Sequence, residues 1–285
     1  MNKAYEIITE TIIEKLEQGT VPWHQPWSNE AVKNLISKRE YRGINVFLLG
    51  ASRYANPYWL TFRQAKQLGG HVKKGERSTP VVFWKWLERE RDNPDTGETE
   101  TVSTPLLRYY RVFNVEQCEG IPAEKVPTLE NARDFRPIEE AERVVQEMPQ
   151  RPIIQHEAAQ AFYRPSADVV NMPAPKLFTG DEEYYSTLFH ELTHATGHES
   201  RLKRLETDKL AAFGGKDYSQ EELVAEMGSA FLCGHCGIAE RIIDNSAAYI
   251  QGWLRRLRND KSLVVFAAAQ AQKAVDFILD NERRK

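Results

Sequence analysis

The chain has 285 residues, enough for two domains, and its 41% hydrophobic and 10% aromatic content can build real cores. Its 41 acids against 38 bases give a net charge of −3, which excludes a chain that is polybasic throughout. Three cysteines make no disulfide framework, residues 1–20 lack the apolar run of a signal sequence, and no stretch reaches the roughly 18–20 apolar residues of a membrane span. A cytoplasmic protein in a reducing compartment is expected.

In chain order, Tyr5, Ile8, Ile12, Ile13 and Leu16 recur at helical spacing, and Gly19 ends that helix. A Pro/Trp turn follows, Pro22 to Trp27. Residues 61–68 read as a helix capped by Thr61 and stopped by Gly69-Gly70. The β-branched and aromatic runs 81–87 and 106–115 read as paired strands, with the polar insert 88–104 as a long exposed connection. From Gly120 to Pro137 the composition turns to Pro, Glu and small polar residues, as at a domain boundary. Beyond it a helix is expected over 138–148, then short strands around 153–154, 161–164 and 168–171. Helices follow over 181–196, 219–236 and 246–281, the last interrupted near Asn259. The fold class is α+β: a domain over 1–125, a linker over 126–137 and a second domain over 138–285. The first is expected to fold alone when cut near Pro127.

The first domain carries the positive charge that the average hides. Between Ala31 and Leu87 there are eleven Lys and Arg against only Glu40 and Glu76, a local excess of +9. Such an excess is the electrostatic footprint of a phosphate-binding surface, and interleaved aromatics suit unpaired bases, which stack on rings whatever their sequence. Lys73, Lys74 and Arg77 form a basic turn around Gly75 and are the first candidates for phosphate contact. Tyr41 and Arg42 are a second pair, for stacking and phosphate respectively. Trp23 and Trp27 either meet DNA or staple their turn to the core. Trp84 and Trp86 share one strand face and are the pair best suited to burial.

The second domain carries His190-Glu191-Leu192-Thr193-His194. Histidines four apart on a helix lie on one face and can bind one ion, with Glu191 beside them as general base toward the attacking water. Leu188, Phe189 and Leu192 anchor that helix in a core, which argues against a chance pentapeptide on a surface. A zincin site needs a third protein ligand. The metzincin spacing would put a histidine at 200, where Ser200 stands, and His198 follows Gly197, a helix stop that leaves its direction open. The better candidate is Glu222, in a helix with an apolar stripe, with Glu226 one turn on as the acid that hydrogen-bonds a ligand histidine. A solvated acidic face is the plainer reading of that pair. The expected cofactor is Zn2+ or another divalent ion such as Mn2+. Cys233 and Cys236 have no second cysteine pair and read as packing residues.

The run HELTHATGHESRL (His190 to Leu202) followed by EELVAEMGSAFLC (Glu221 to Cys233) resembles the C-terminal domain of plasmid antirestriction proteins of the ArdC type. PWHQPW, YRGINVFLL and LGGHVKKGE resemble the N-terminal domain of the same family, so the resemblance covers nearly the whole chain. It implies a single-stranded-DNA-binding domain joined to a zincin-like metallopeptidase domain, protecting incoming conjugative DNA from host restriction. It also implies kinship with the N-terminal region of plasmid-transferred primases. The partners implied are single-stranded DNA and, for a working peptidase, a host restriction-related protein; no membrane is involved. The alternative is a DNA-coating protein whose metal domain is structural. A two-metal nuclease would need an Asp/Glu cluster that the sequence lacks.

Overall fold

The computed structural model describes residues 3–19, 21–22, 32–52, 54, 56–92, 99–127, 137–178, 180–205, 216–238 and 247–281. The first segment runs α1 (Lys3–Glu17), β1 (Lys33–Asn34), α2 (Ile44–Gly50), β2 (Tyr58–Leu60), α3 (Phe62–Gln67), β3 (His71–Val72), β4 (Thr79–Asp92), β5 (Thr99–Asn114) and β6 (Cys118–Glu119). Strands β1, β2, β5 and β4 lie side by side in that order, antiparallel except for the β1–β2 pair, and β3 pairs with β6 in a separate ribbon.

Local chemistry explains these elements. Helix α1 buries Ile8, Ile12 and Leu16, an i, i+4 stripe. Thr61 caps α3 reciprocally with Gln64, whose side chain receives the Thr61 N–H while the Thr61 hydroxyl receives the Gln64 N–H. The insert 88–104, expected as an exposed connection, largely continues the hairpin instead: pairing persists to Asp92↔Thr99. Its Thr101, Val102 and Thr104 are β-branched, and a continuous ladder satisfies backbone groups that a loop would leave to water. Helix α2, which periodicity did not flag, sits at the outer edge of β4. There the Asn45 side chain donates to the Val82 carbonyl at 2.8 Å and accepts the Val82 N–H at 2.7 Å, standing in for a further strand.

The second segment runs α4 (Pro137–Glu147), β7 (Ile153–Gln155), β8 (Phe162–Arg164), β9 (Val169–Asn171), α5 (Asp181–Ala195), α6 (Lys216–His235), α7 (Ala247–Asn259) and α8 (Leu263–Ile278). Its small sheet has the order β7-β9-β8, with β7 parallel and β8 antiparallel to β9, so β8 is an edge strand. One core lies within this segment, joining Val144, Val170, Leu188, Phe189 and Leu192 to the buried Cys233 and Cys236, which are unbridged and pack as expected.

The largest core, however, is shared. Ile8, Ile12 and Leu16 of α1 and Phe47 of α2 pack in one cluster with Val224 and Met227 of α6, Trp253 of α7 and Val264 of α8. Arg42 also pairs with Asp276 of α8, and the Gly43 N–H donates to Gln272 of the same helix at 3.0 Å. The two segments are thus separate in sequence and joined in their packing. Among the described residues no helix is long and apolar enough to cross a membrane.

Candidate metal centre

Helices α5 and α6 cross closely because α6 presents Gly228 to Thr193. A Cβ at 228 would lie 2.5 Å from Thr193 Cγ2 and 2.6 Å from its Oγ1. Ser229 adds a hydrogen bond across the same contact, its hydroxyl donating to the Ser186 carbonyl at 2.7 Å. This approach brings His190 and His194 of α5 against Glu222 of α6, with one donor atom of each within 4.8 Å of the others. His190 Nε2 and His194 Nε2 are 3.1 Å apart, and each lies 3.6 Å from a Glu222 carboxylate oxygen. A tetrahedral ion with bonds of about 2.0–2.1 Å separates its ligands by roughly 3.3 Å. Two imidazole nitrogens and one carboxylate at this spacing fit a divalent transition ion.

The His194 ring stands between two adjacent carboxylates. Its Nδ1 faces Glu221 Oε1 at 3.2 Å while its Nε2 faces Glu222. An Nδ1–H donated to Glu221 leaves the Nε2 lone pair directed at the shared point, the way ligand histidines are commonly oriented. Glu221 is in turn gripped by Arg204, whose Nε and Nη2 donate to its two oxygens at 2.8 Å each. Burial alone would raise the Glu221 carboxyl, but Arg204 and His194 outweigh it and hold it below the ordinary range. Arg204 is itself fixed to α5, donating to the Thr193 carbonyl at 2.8 Å and to Thr196 Oγ1 at 3.0 Å.

The sequence pointed to Glu226 for a supporting role and did not mark Glu221, which is the acid that faces His194. Residues one turn apart share a helix face, which favoured the 222/226 pair in the sequence. A ring wedged between the helices meets neighbouring side chains on both its edges, which i, i+4 reasoning does not anticipate. Arg204 was missed as well, and the only sequence signal for it is a basic residue shortly after the histidine motif.

Glu191 is buried. Burial raises its carboxyl above the usual range, His190 and His194 oppose that rise, and the backbone N–H of Tyr163 on β8 donates to it. The general-base candidate therefore bridges the histidine helix and the edge strand. His198 turns away, its Nδ1 2.8 Å from Ser200 Oγ. Arg201, which the sequence reading also passed over, is buried and pairs bidentately with Asp168 at 2.8 and 2.7 Å, tying the loop after α5 to the end of β8–β9.

The DNA candidates are placed less uniformly. Lys73, Lys74 and Arg77 are exposed on the turn before β4, and Lys73 Nζ donates to the Glu116 carbonyl at 2.8 Å. Tyr41 is buried with Trp59, Val81 and Val112, so it offers no face for stacking, and Arg42 is committed to Asp276. Tyr41, expected at a DNA surface, is claimed by an apolar contact beneath the sheet, while Arg42 is exposed and pairs with an acid on α8. Trp84, expected to be buried, is 39% exposed. Trp23 and Trp27 lie outside the described residues, as does the side chain of Trp86.

The fold and this site define a zincin-like domain preceded by an α+β domain. Residues 139–270 match the family described as zincin-like metallopeptidase, and residues 2–113 match the N-terminal domain of anti-restriction factor ArdC. The metal-free crystal structure of the antirestriction protein ArdC from plasmid R388 is 37% identical, covers 98% of each chain and has a TM-score of 0.74. Its Mn(II)-bound structure gives 36%, 97% of each chain and 0.75. The protein y4eC of Sinorhizobium fredii is 35% identical over 96% of this chain and 91% of its own length. DNA primase TraC of Escherichia coli is 34% identical over 99% of this chain, which spans only 27% of that primase. The chain belongs to the ArdC antirestriction family.

Proposed function

We propose that this protein binds single-stranded DNA through its N-terminal segment, holds one divalent ion on His190, His194 and Glu222, and protects incoming DNA from host restriction. The observation that carries the metal reading is the convergence of those three donors beside a buried Glu191. Zinc suits two imidazoles and a carboxylate, and manganese, which the R388 protein binds in its crystal structure, is the other candidate. A bound ion would supply Lewis acidity toward a scissile carbonyl. Glu191 takes the proton of the attacking water, its carboxylate kept basic by burial and oriented by the Tyr163 N–H. Strand β8 is an edge, so an extended peptide adds beside it within reach of Glu191, and a host restriction-related protein is the proposed substrate.

A DNA-coating protein with a structural metal domain is the second reading, favoured by the +9 excess over residues 31–87. One experiment separates the two: incoming plasmid is challenged in a restricting host with wild type or with Glu191→Ala. Loss of protection, with strand binding by the purified variant intact, supports peptidase action. Full protection by the variant supports coating.

A further inference from the structure

Along one face of β5 run Leu107, Tyr109, Arg111 and Phe113. Leu107 and Tyr109 join the core under α1, and Leu60, which pairs with Phe113, joins the core against α3. Between these two covers is a gap in which Arg111 is exposed and Phe113 half-buried, while Pro80, paired with Arg111, is buried. Phe62, at the start of α3, stands beside the gap with its ring 6.5 Å from that of Phe113 and is 50% exposed. Lys66 Nζ sits 5.2 Å over the Phe62 ring, Arg63 is exposed next to it, and Arg111 is held at 3.2 Å by Ser78, the neighbour of Arg77. The acids at this end of the sheet are engaged: Glu76 accepts from Gln117, and Glu116 accepts the Asn56 N–H.

We infer that Phe62, Phe113, Arg63, Lys66, Arg77 and Arg111 form a ledge on which an unpaired nucleic-acid strand lies, bases on the two rings and phosphates on the four cations. This rests on the reading that the protein binds single strands; it moves the stacking from the buried Tyr41 to Phe62 and Phe113 and adds Arg63, Lys66 and Arg111 to Arg77 of the basic turn. An exposed phenylalanine beside a half-buried one costs solubility and suits bases that are free to stack, whereas duplex DNA offers only stacked ones. Cations spaced around the rings answer the phosphate charge.

The test titrates the full chain against a labelled oligothymidylate of about 20 nucleotides, longer than the footprint of one such domain. Phe62→Leu keeps apolar bulk and loses the ring, and it weakens binding about fivefold or more, while Phe62→Trp restores it. Replacing Arg63, Lys66 and Arg111 together by alanine lowers the slope of log affinity against log salt by about 2, the share of three phosphate contacts on a single strand. Thermal melts confirm that the surface variants remain folded. If wild type binds the strand and these variants bind equally well with unchanged slope, the ledge is wrong and the DNA reading survives. If wild type binds polyglutamate through these cations and does not bind the strand, the DNA reading itself falls.

Discussion

At the scale of single residues the metal centre depends on two kinds of carboxylate. Glu222→Ala removes a donor from the triangle and abolishes metal binding as fully as His190→Ala or His194→Ala, whereas His198→Ala leaves about one ion per chain; metal analysis of purified variants reads this directly. Glu221→Ala instead frees the His194 ring to turn, and affinity falls roughly 10–100-fold without complete loss, as titration against a competing chelator would show. Arg204→Ala leaves the Glu221 carboxylate buried beside fewer partners. It costs about 3–5 kcal/mol of stability in denaturant unfolding as well as metal affinity. Equal affinity in Glu221→Ala and wild type would mean that Glu221 does not hold the His194 ring for the metal. The convergence of His190 and His194 was legible in the sequence because helical periodicity places imidazoles four apart on one face. Glu221 and Arg204 were not, since their roles arise from a ring lying between two helices and from a loop that folds back across the first.

At the scale of elements, the crossing of α5 and α6 sets the distance between histidines and acids. Gly228→Ala forces a methyl group into Thr193 and costs about 1–3 kcal/mol, with metal affinity falling as Glu222 is pushed from the histidines. Thr193→Ala removes the two atoms nearest the new methyl, so the double variant is more stable than the sum of the two single losses predicts. Strict additivity in that cycle would mean the helices do not meet at this point. A lone glycine inside a helical pattern announces only weakened propensity in sequence; its partner across the crossing becomes visible in three dimensions. The same limit applies to α2, whose run Ile44 to Gly50 is apolar on nearly every side. No periodic stripe separates it from a strand, yet it buries against two cores and caps the edge of β4.

At the scale of the whole molecule, the change in composition between Gly120 and Pro137 marks where two families of sequence meet, and the packing does not divide there. Helix α1 is the first of the described elements, and its apolar stripe is covered by α6, α7 and α8 as well as by the sheet of its own segment. A fragment ending near Pro127 keeps β1 to β6, the small clusters around Trp59 and Leu60 and the side of the large core formed by Val82 and Leu107, but it loses the part of the cover over Ile8, Ile12, Leu16 and Phe47 that α6, α7 and α8 supply. Full exposure of such a side chain forfeits about 1.5–3 kcal/mol, so even partial uncovering of four is a large share of the net stability of a domain. The fragment is therefore expected to be partly unfolded or aggregated, despite holding the basic excess. The full chain should unfold in one cooperative transition, with near-ultraviolet dichroism and tryptophan fluorescence losing signal together. Chelation should lower the midpoint of that transition for the whole molecule, because α6 carries Glu222 at the metal centre and Val224 and Met227 in the shared core. Two separated transitions, with only the later segment responding to chelator, would show that α1 and α2 are stable without α7 and α8.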